Sequence, residues 1–206
     1  MRRTAEIAAT TVFSAMAVAL TLAKLTVPYP LLPYLKFDLS EVPVTVALFL
    51  LGPPPGLLST VIYWLVLTLR AGDVLGPAMK FAAVASMMVG FALGAFLCRR
   101  LGRGRTAMII VGLLLGAVAR VLVMSLLNFV ILTLVAPHYL EFATPLLASL
   151  GLPVGTRLGA LLWIIILTAI YNLLHTLLAV LPAYVIAEAA LRRVPGLLGE
   201  SWLAEK

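Results

Sequence analysis

The segment YLKFDLSEVPVTVALFL, residues 34–50, places Lys36, Asp38, Ser40 and Glu41 directly before an apolar run. Together these side chains supply donors and acceptors of both charge signs, a set suited to binding a polar small molecule. A second set lies in TAIYNLLHTLL, where Thr168, Asn172 and His175 fall at i, i+4 and i+7 and so share one helix face. Asn and His are costly inside a membrane without a partner, so this face serves either an interhelical hydrogen bond or a ligand. Asn128, in RVLVMSLLNFVIL, is a similar residue on the preceding helix. Arg120 lies two turns deeper, about 12 Å away, and reads as structural, pairing with backbone carbonyls or a partner protein. Lys80, in GPAMKFAAVASMM, either snorkels to the interface or faces a cavity. Ser40 or Asp38 is placed to cap the helix that follows, and Pro43 suits its first turn.

The elements that must position these residues are helices in a bilayer. Of 206 residues, 63% are hydrophobic and 11% are charged, against roughly a quarter charged in a soluble domain. Spans near 20 apolar residues are needed to cross a membrane. The sequence predicts an all-α integral membrane protein, one membrane domain over 1–206, with six transmembrane helices near 6–26, 41–51, 57–70, 75–98, 106–135 and 157–191. The second and third are short; the second is about 16 Å long at 1.5 Å per residue. Between them GPPPG (52–56) breaks the helix. Residues 27–40, proline-rich at TVPYPLLPY, are predicted as a stiff outer lid loop.

The net charge is +7, but Arg2, Arg3, Arg99, Arg100, Arg103, Arg105, Arg192 and Arg193 all sit at the edges of apolar spans. Such residues orient membrane proteins and collect in cytoplasmic loops, which argues against nucleic acid as the partner. Six spans with both termini cytoplasmic satisfy this pattern. They leave Asp38, Glu41, Asp73 and Glu141 at or near the outer face. Short helices end at membrane depth, where irregular backbone must be buried or line a wet cavity. A cavity open to the outside and rimmed by residues 34–43 is therefore expected. The N-terminal stretch could pass for a signal peptide, but the remaining spans make a first transmembrane helix sufficient.

Small residues form a further pattern. Ala15, Ala19 and Ala23 recur at every fourth position, and Gly90 with Gly94 and Gly112 with Gly116 form two GxxxG pairs. This spacing allows close helix approach; the glycines read as internal packing, the alanines as either packing or an outward docking face. Cys98 is single, so it reads as a buried thiol. The sequence holds no GxxxxGK[ST], HExxH or GxSxG, and two histidines leave little for a metal site. With no soluble lobe expected beside the spans, any energy source is expected to be an ion gradient or a partner. Ser125 with His175 as an intramembrane nucleophile and base is a poor second class.

Three blocks give the chain a likeness. YLKFDLSEVP with its short helix and proline-rich turn, RVLVMSLLNFVIL, and IYNLLHTLL resemble, in order, segments of the S-components of energy-coupling factor vitamin transporters, within the riboflavin-binding branch. The resemblance implies six helices, a vitamin site near the outer face, and closure by the loop after the first helix. It implies that Asn128 and Asn172 hydrogen-bond the flavin ring system, and that Asp38, Leu39, Ser40 and Glu41 wrap the ligand. His175 stands where relatives carry Lys, and Lys80 replaces an expected Asn, so Lys80 is a candidate to supply the missing charge. Ala15 and Ala19 match the small-residue motif that meets the transmembrane coupling subunit. The implied partners are riboflavin, as transported ligand and not cofactor, and a module of that subunit with two ATPases. The implied location is the plasma membrane, with no enzyme activity in this chain. An S-component for another vitamin, or an ion-coupled carrier, are the alternatives; the chain shows no internal repeat of the kind such carriers carry.

Overall fold

The fold is that of a computed structural model that describes residues 2–193 and 202–203. Helix α1 spans Arg2–Leu22. A two-stranded antiparallel hairpin follows, β1 (Thr26–Tyr29) and β2 (Leu32–Asp38), pairing Thr26 with Asp38 and Pro28 with Lys36. Then come α2 (Glu41–Leu51), α3 (Pro53–Ala71) and α4 (Leu75–Arg100). Helix α5 runs Arg105–Val130 and continues through a π-helical turn, Ile131–Val135. The last two are α6 (His138–Ser149) and α7 (Arg157–Arg193).

Helices α1 to α5 and α7 occupy the stretches read as spans, and three local features differ from expectation. The molecule is mostly helical, but the predicted lid loop is a β-hairpin. In a two-stranded ribbon each strand is an edge, so Pro28 and Pro33 need not supply a ladder hydrogen bond on their outer side. The stretch 136–156 between the last two predicted spans contains α6, whose Leu140, Ala143 and Leu147 bury one face despite Pro145. The GPPPG break is confined to Gly52: Pro53–Pro55 form the first turn of α3, where amides have no intrahelical partner to lose.

Among the described residues four helices are long and apolar enough to cross a membrane: α1, α4, α5 with its π-helical turn, and α7. Helix α2 is the opposite case, an 11-residue helix buried on every side from Glu41 to Leu50. It packs among the long helices, with Phe49 against Phe91 of α4 at 4.9 Å between ring centroids. Gly52 ends it at φ 102°, ψ 179°, a conformation open in practice to glycine alone. The indole of Trp202 lies 3.2 Å from where a Cβ on Gly52 would stand, and the Trp202 amide donates to the Leu50 carbonyl.

The glycine pairs are internal packing. A Cβ on Gly90 would meet the Leu115 carbonyl oxygen at 2.4 Å, and one on Gly94 would meet the Gly112 Cα at 2.8 Å. Helices α4 and α5 thus touch backbone to backbone. Cys98 is buried. Ala15 and Ala19 are exposed, while Ala17 between them is fully buried.

Candidate functional site

The hairpin, α2, α4, α5, α6 and α7 enclose a cavity of about 530 Å³. Six of the eight expected ligand-binding residues line it: Asp38, Glu41, Lys80, Asn128, Asn172 and His175. Ser40 is buried behind this wall, and Leu39 is exposed and faces elsewhere. Helical spacing explains the α7 contribution, since Thr168, Asn172 and His175 lie on its buried face.

At depth, Arg120 of α5 grips Glu41 of α2 with two hydrogen bonds. Nη1 donates to Oε2 at 2.6 Å and Nη2 to Oε1 at 3.1 Å. Arg120 is 1% exposed and Glu41 is fully buried. Two corrections follow. Arg120 pairs with a carboxylate rather than with backbone carbonyls, and Glu41 belongs to the inner wall rather than the cavity mouth. Separating so buried a pair costs several kcal/mol, so the grip fixes α2 against α5. The Arg120 Nε–H donates to Asn172 Oδ1 at 3.1 Å, and the Asn172 amide donates to the Thr168 carbonyl at 2.8 Å. Asn128 donates to Thr168 Oγ1 at 3.3 Å.

Nearer the hairpin, Lys80 pairs with Asp38 and donates to Ser40 Oγ at 3.1 Å, so it faces the cavity and does not snorkel away. Ser40 does not cap α2 with its side chain. Its hydroxyl instead meets Tyr63 at 2.8 Å and Asp38, and Asp38 accepts the Ser40 amide. Polar contacts tie the hairpin to the helices. Besides the Lys80–Asp38 pair, Tyr171 donates its hydroxyl to the Lys36 carbonyl at 2.7 Å, and His175 Nε2 lies 3.2 Å from the Asp38 carbonyl. Tyr29, Phe37, Tyr171 and His175 stack edge to face and tilted over this contact, with centroids 4.9–5.7 Å apart.

Sequence reasoning missed Tyr171 and the two aromatics of α6, Tyr139 and Phe142, which also line the cavity. Tyr171 stood beside Asn172 in the same motif, and that adjacency was the available signal. Ser125 is not among the lining residues, which leaves His175 without the imagined nucleophile. Among the described residues no cluster of metal-ligating side chains occurs. The lining offers amides, one ion pair at depth, a second at the hairpin, and aromatic faces. It can hold a flat, polar-edged molecule.

The chain is 32% identical over 150 residues to the riboflavin transporter FmnP of Bacillus subtilis (strain 168), covering 70% of this chain and 75% of that one. It is 33% identical over 133 residues to the riboflavin transporter RibU of Staphylococcus aureus (strain TCH60), covering 64% and 67%. Among solved structures it is similar to the S component of a bacterial ECF transporter, with a TM-score of 0.70 at 23% identity over 92% of this chain and 97% of the other. No protein-family model matches the chain.

Proposed function

The chain belongs to the family of the riboflavin transporters FmnP and RibU, and from that premise we propose that it is the riboflavin-binding subunit of an energy-coupling factor importer. It is a multi-pass membrane protein with the S-component fold. The observation that carries the binding role is the cavity itself. Its volume of about 530 Å³ suits a small organic ligand, for which pockets run roughly 300–1,000 Å³. Its wall presents Asn128 and Asn172, and a primary amide offers both a donor and an acceptor to the pyrimidine edge of an isoalloxazine. Asp38, Lys80 and His175 also line the cavity and supply polar groups suited to ribityl hydroxyls, and Tyr171, Tyr139 and Phe142 supply aromatic faces.

In this reading six helices span the plasma membrane, α1 to α5 and α7, with both termini and the Arg99–Arg105 loop in the cytoplasm. The cavity then opens outward, and the hairpin is its lid. The chain binds and does not catalyse; ATP hydrolysis belongs to separate subunits, a transmembrane coupling protein and two ATPases. The exposure of Ala15 and Ala19 supports α1 as the face that meets the coupling protein.

The test is purification in detergent from flavin-replete cells, followed by titration of riboflavin into washed protein while tryptophan fluorescence is followed. Saturable one-to-one quenching is expected. Protein that carries no flavin and is not quenched at micromolar riboflavin would overturn the ligand assignment and send the search to other vitamins.

A further inference from the structure

An asparagine amide has two ends of nearly equal shape, so a free side chain can present donor and acceptor in either order. Asn172 is not free. Arg120 Nε–H donates to its Oδ1 at 3.1 Å, and its own Nδ2–H donates to the Thr168 carbonyl at 2.8 Å. Turned over, the amide would set N–H against N–H and oxygen against oxygen, so these neighbours permit one orientation. Arg120 is itself immobilised by Glu41 at 2.6 and 3.1 Å, with Met87 Sδ at 3.7 Å from Nη1. An amide can make four hydrogen bonds, two as acceptor and two as donor. The two fixed bonds use one of each and leave one of each for the cavity.

We propose that Arg120, seated by Glu41, is a positioning residue that fixes the order in which Asn172 presents its remaining acceptor and donor. It thereby determines which edge polarity of a heterocycle the cavity accepts. The preferred class is a ring with a carbonyl oxygen beside an N–H on one edge, as in the pyrimidinedione of a flavin; in naming that substrate the inference rests on the riboflavin reading. Lysine cannot replace this arrangement, because an ammonium lacks the planar fork that holds a carboxylate while a third nitrogen reaches the amide.

The experiment compares riboflavin with N3-methylriboflavin, which lacks the N–H of that edge, by fluorescence quenching of detergent-solubilised protein. Wild-type protein is expected to prefer riboflavin roughly tenfold or more. Arg120→Met, and Glu41→Met/Arg120→Met, which leaves no unpaired buried charge, are expected to lose most of that preference. If both ligands weaken together with the ratio kept, the residue is merely structural and the proposal is overturned. A readout without ligand accompanies it: solvent exchange of the Asn172 side-chain amide protons, assigned by their loss in Asn172→Ala. Exchange about tenfold faster in Arg120→Met is expected; unchanged exchange overturns the positioning role. If wild-type protein binds no flavin yet shows this exchange effect, the ligand reading fails and the positioning role stands.

Discussion

Glu41 and Arg120 are buried to within 1% and neutralise one another, so the loss of either leaves the other buried without its charge partner. Arg120→Ala or Glu41→Ala is expected to lower stability by about 3–5 kcal/mol. The paired Glu41→Met/Arg120→Met variant should recover most of that loss, since no charge is left unpaired; thermal unfolding in detergent measures both. The amides make a different prediction. Asn128→Ala or Asn172→Ala is expected to weaken riboflavin binding by about 1–3 kcal/mol, the usual loss when a buried partner goes unmatched. Wild-type affinity in both variants would remove the site assignment. The α7 half of this site was legible because Thr168, Asn172 and His175 repeat at helical spacing in one short motif. The Glu41–Arg120 pair was not, because 79 positions separate its members and no local pattern links an acid before one helix to a cation inside another.

Between helices, the close approach of α4 and α5 was written in the two GxxxG pairs, and the structure uses them as backbone contacts. Gly90→Ala sets a methyl 2.4 Å from the Leu115 carbonyl oxygen. It is expected to cost about 1–3 kcal/mol through overpacking. Gly155→Ala, with nothing within 4 Å, is expected to stay within about 0.5 kcal/mol of wild type; equal unfolding midpoints would show that the glycines are not what sets the approach. The hairpin was hidden from the sequence by its prolines, which read as a stiff loop until pairing in a two-stranded ribbon made them harmless. Helix α6 was hidden by Pro145, although Leu140, Ala143 and Leu147 carry its buried stripe. The lid role proposed for the hairpin would rest on few bonds. Tyr171→Phe removes the hydroxyl bonded to the Lys36 carbonyl, a contribution of about 0.5–1.5 kcal/mol. Riboflavin is therefore expected to dissociate several-fold faster, as stopped-flow quenching would read. An unchanged rate would mean that release does not require the hairpin to leave α7.

For the molecule as a whole, the cavity and the exposed alanines lie on separate surfaces. No residue of α1 lines the cavity, yet α1 presents Ala15 and Ala19 outward while Ala17, Thr10 and Ser14 are buried. A helix with small residues at every fourth exposed position lets a second helix approach closely. A binding subunit whose sequence lacks a nucleotide-binding loop also needs such a face if ATP is to drive it. Binding and coupling should then be separable by one substitution. Ala15→Trp adds bulk on the outward face and touches nothing in the cavity wall. Riboflavin binding by the purified subunit is expected to remain at the wild-type level, while ATP-driven uptake by the reconstituted importer is lost. Loss of both would mean that the alanine face packs inside this chain's own fold. Uptake that survives the tryptophan would move the coupling contact off α1 and leave the alanine spacing facing lipid.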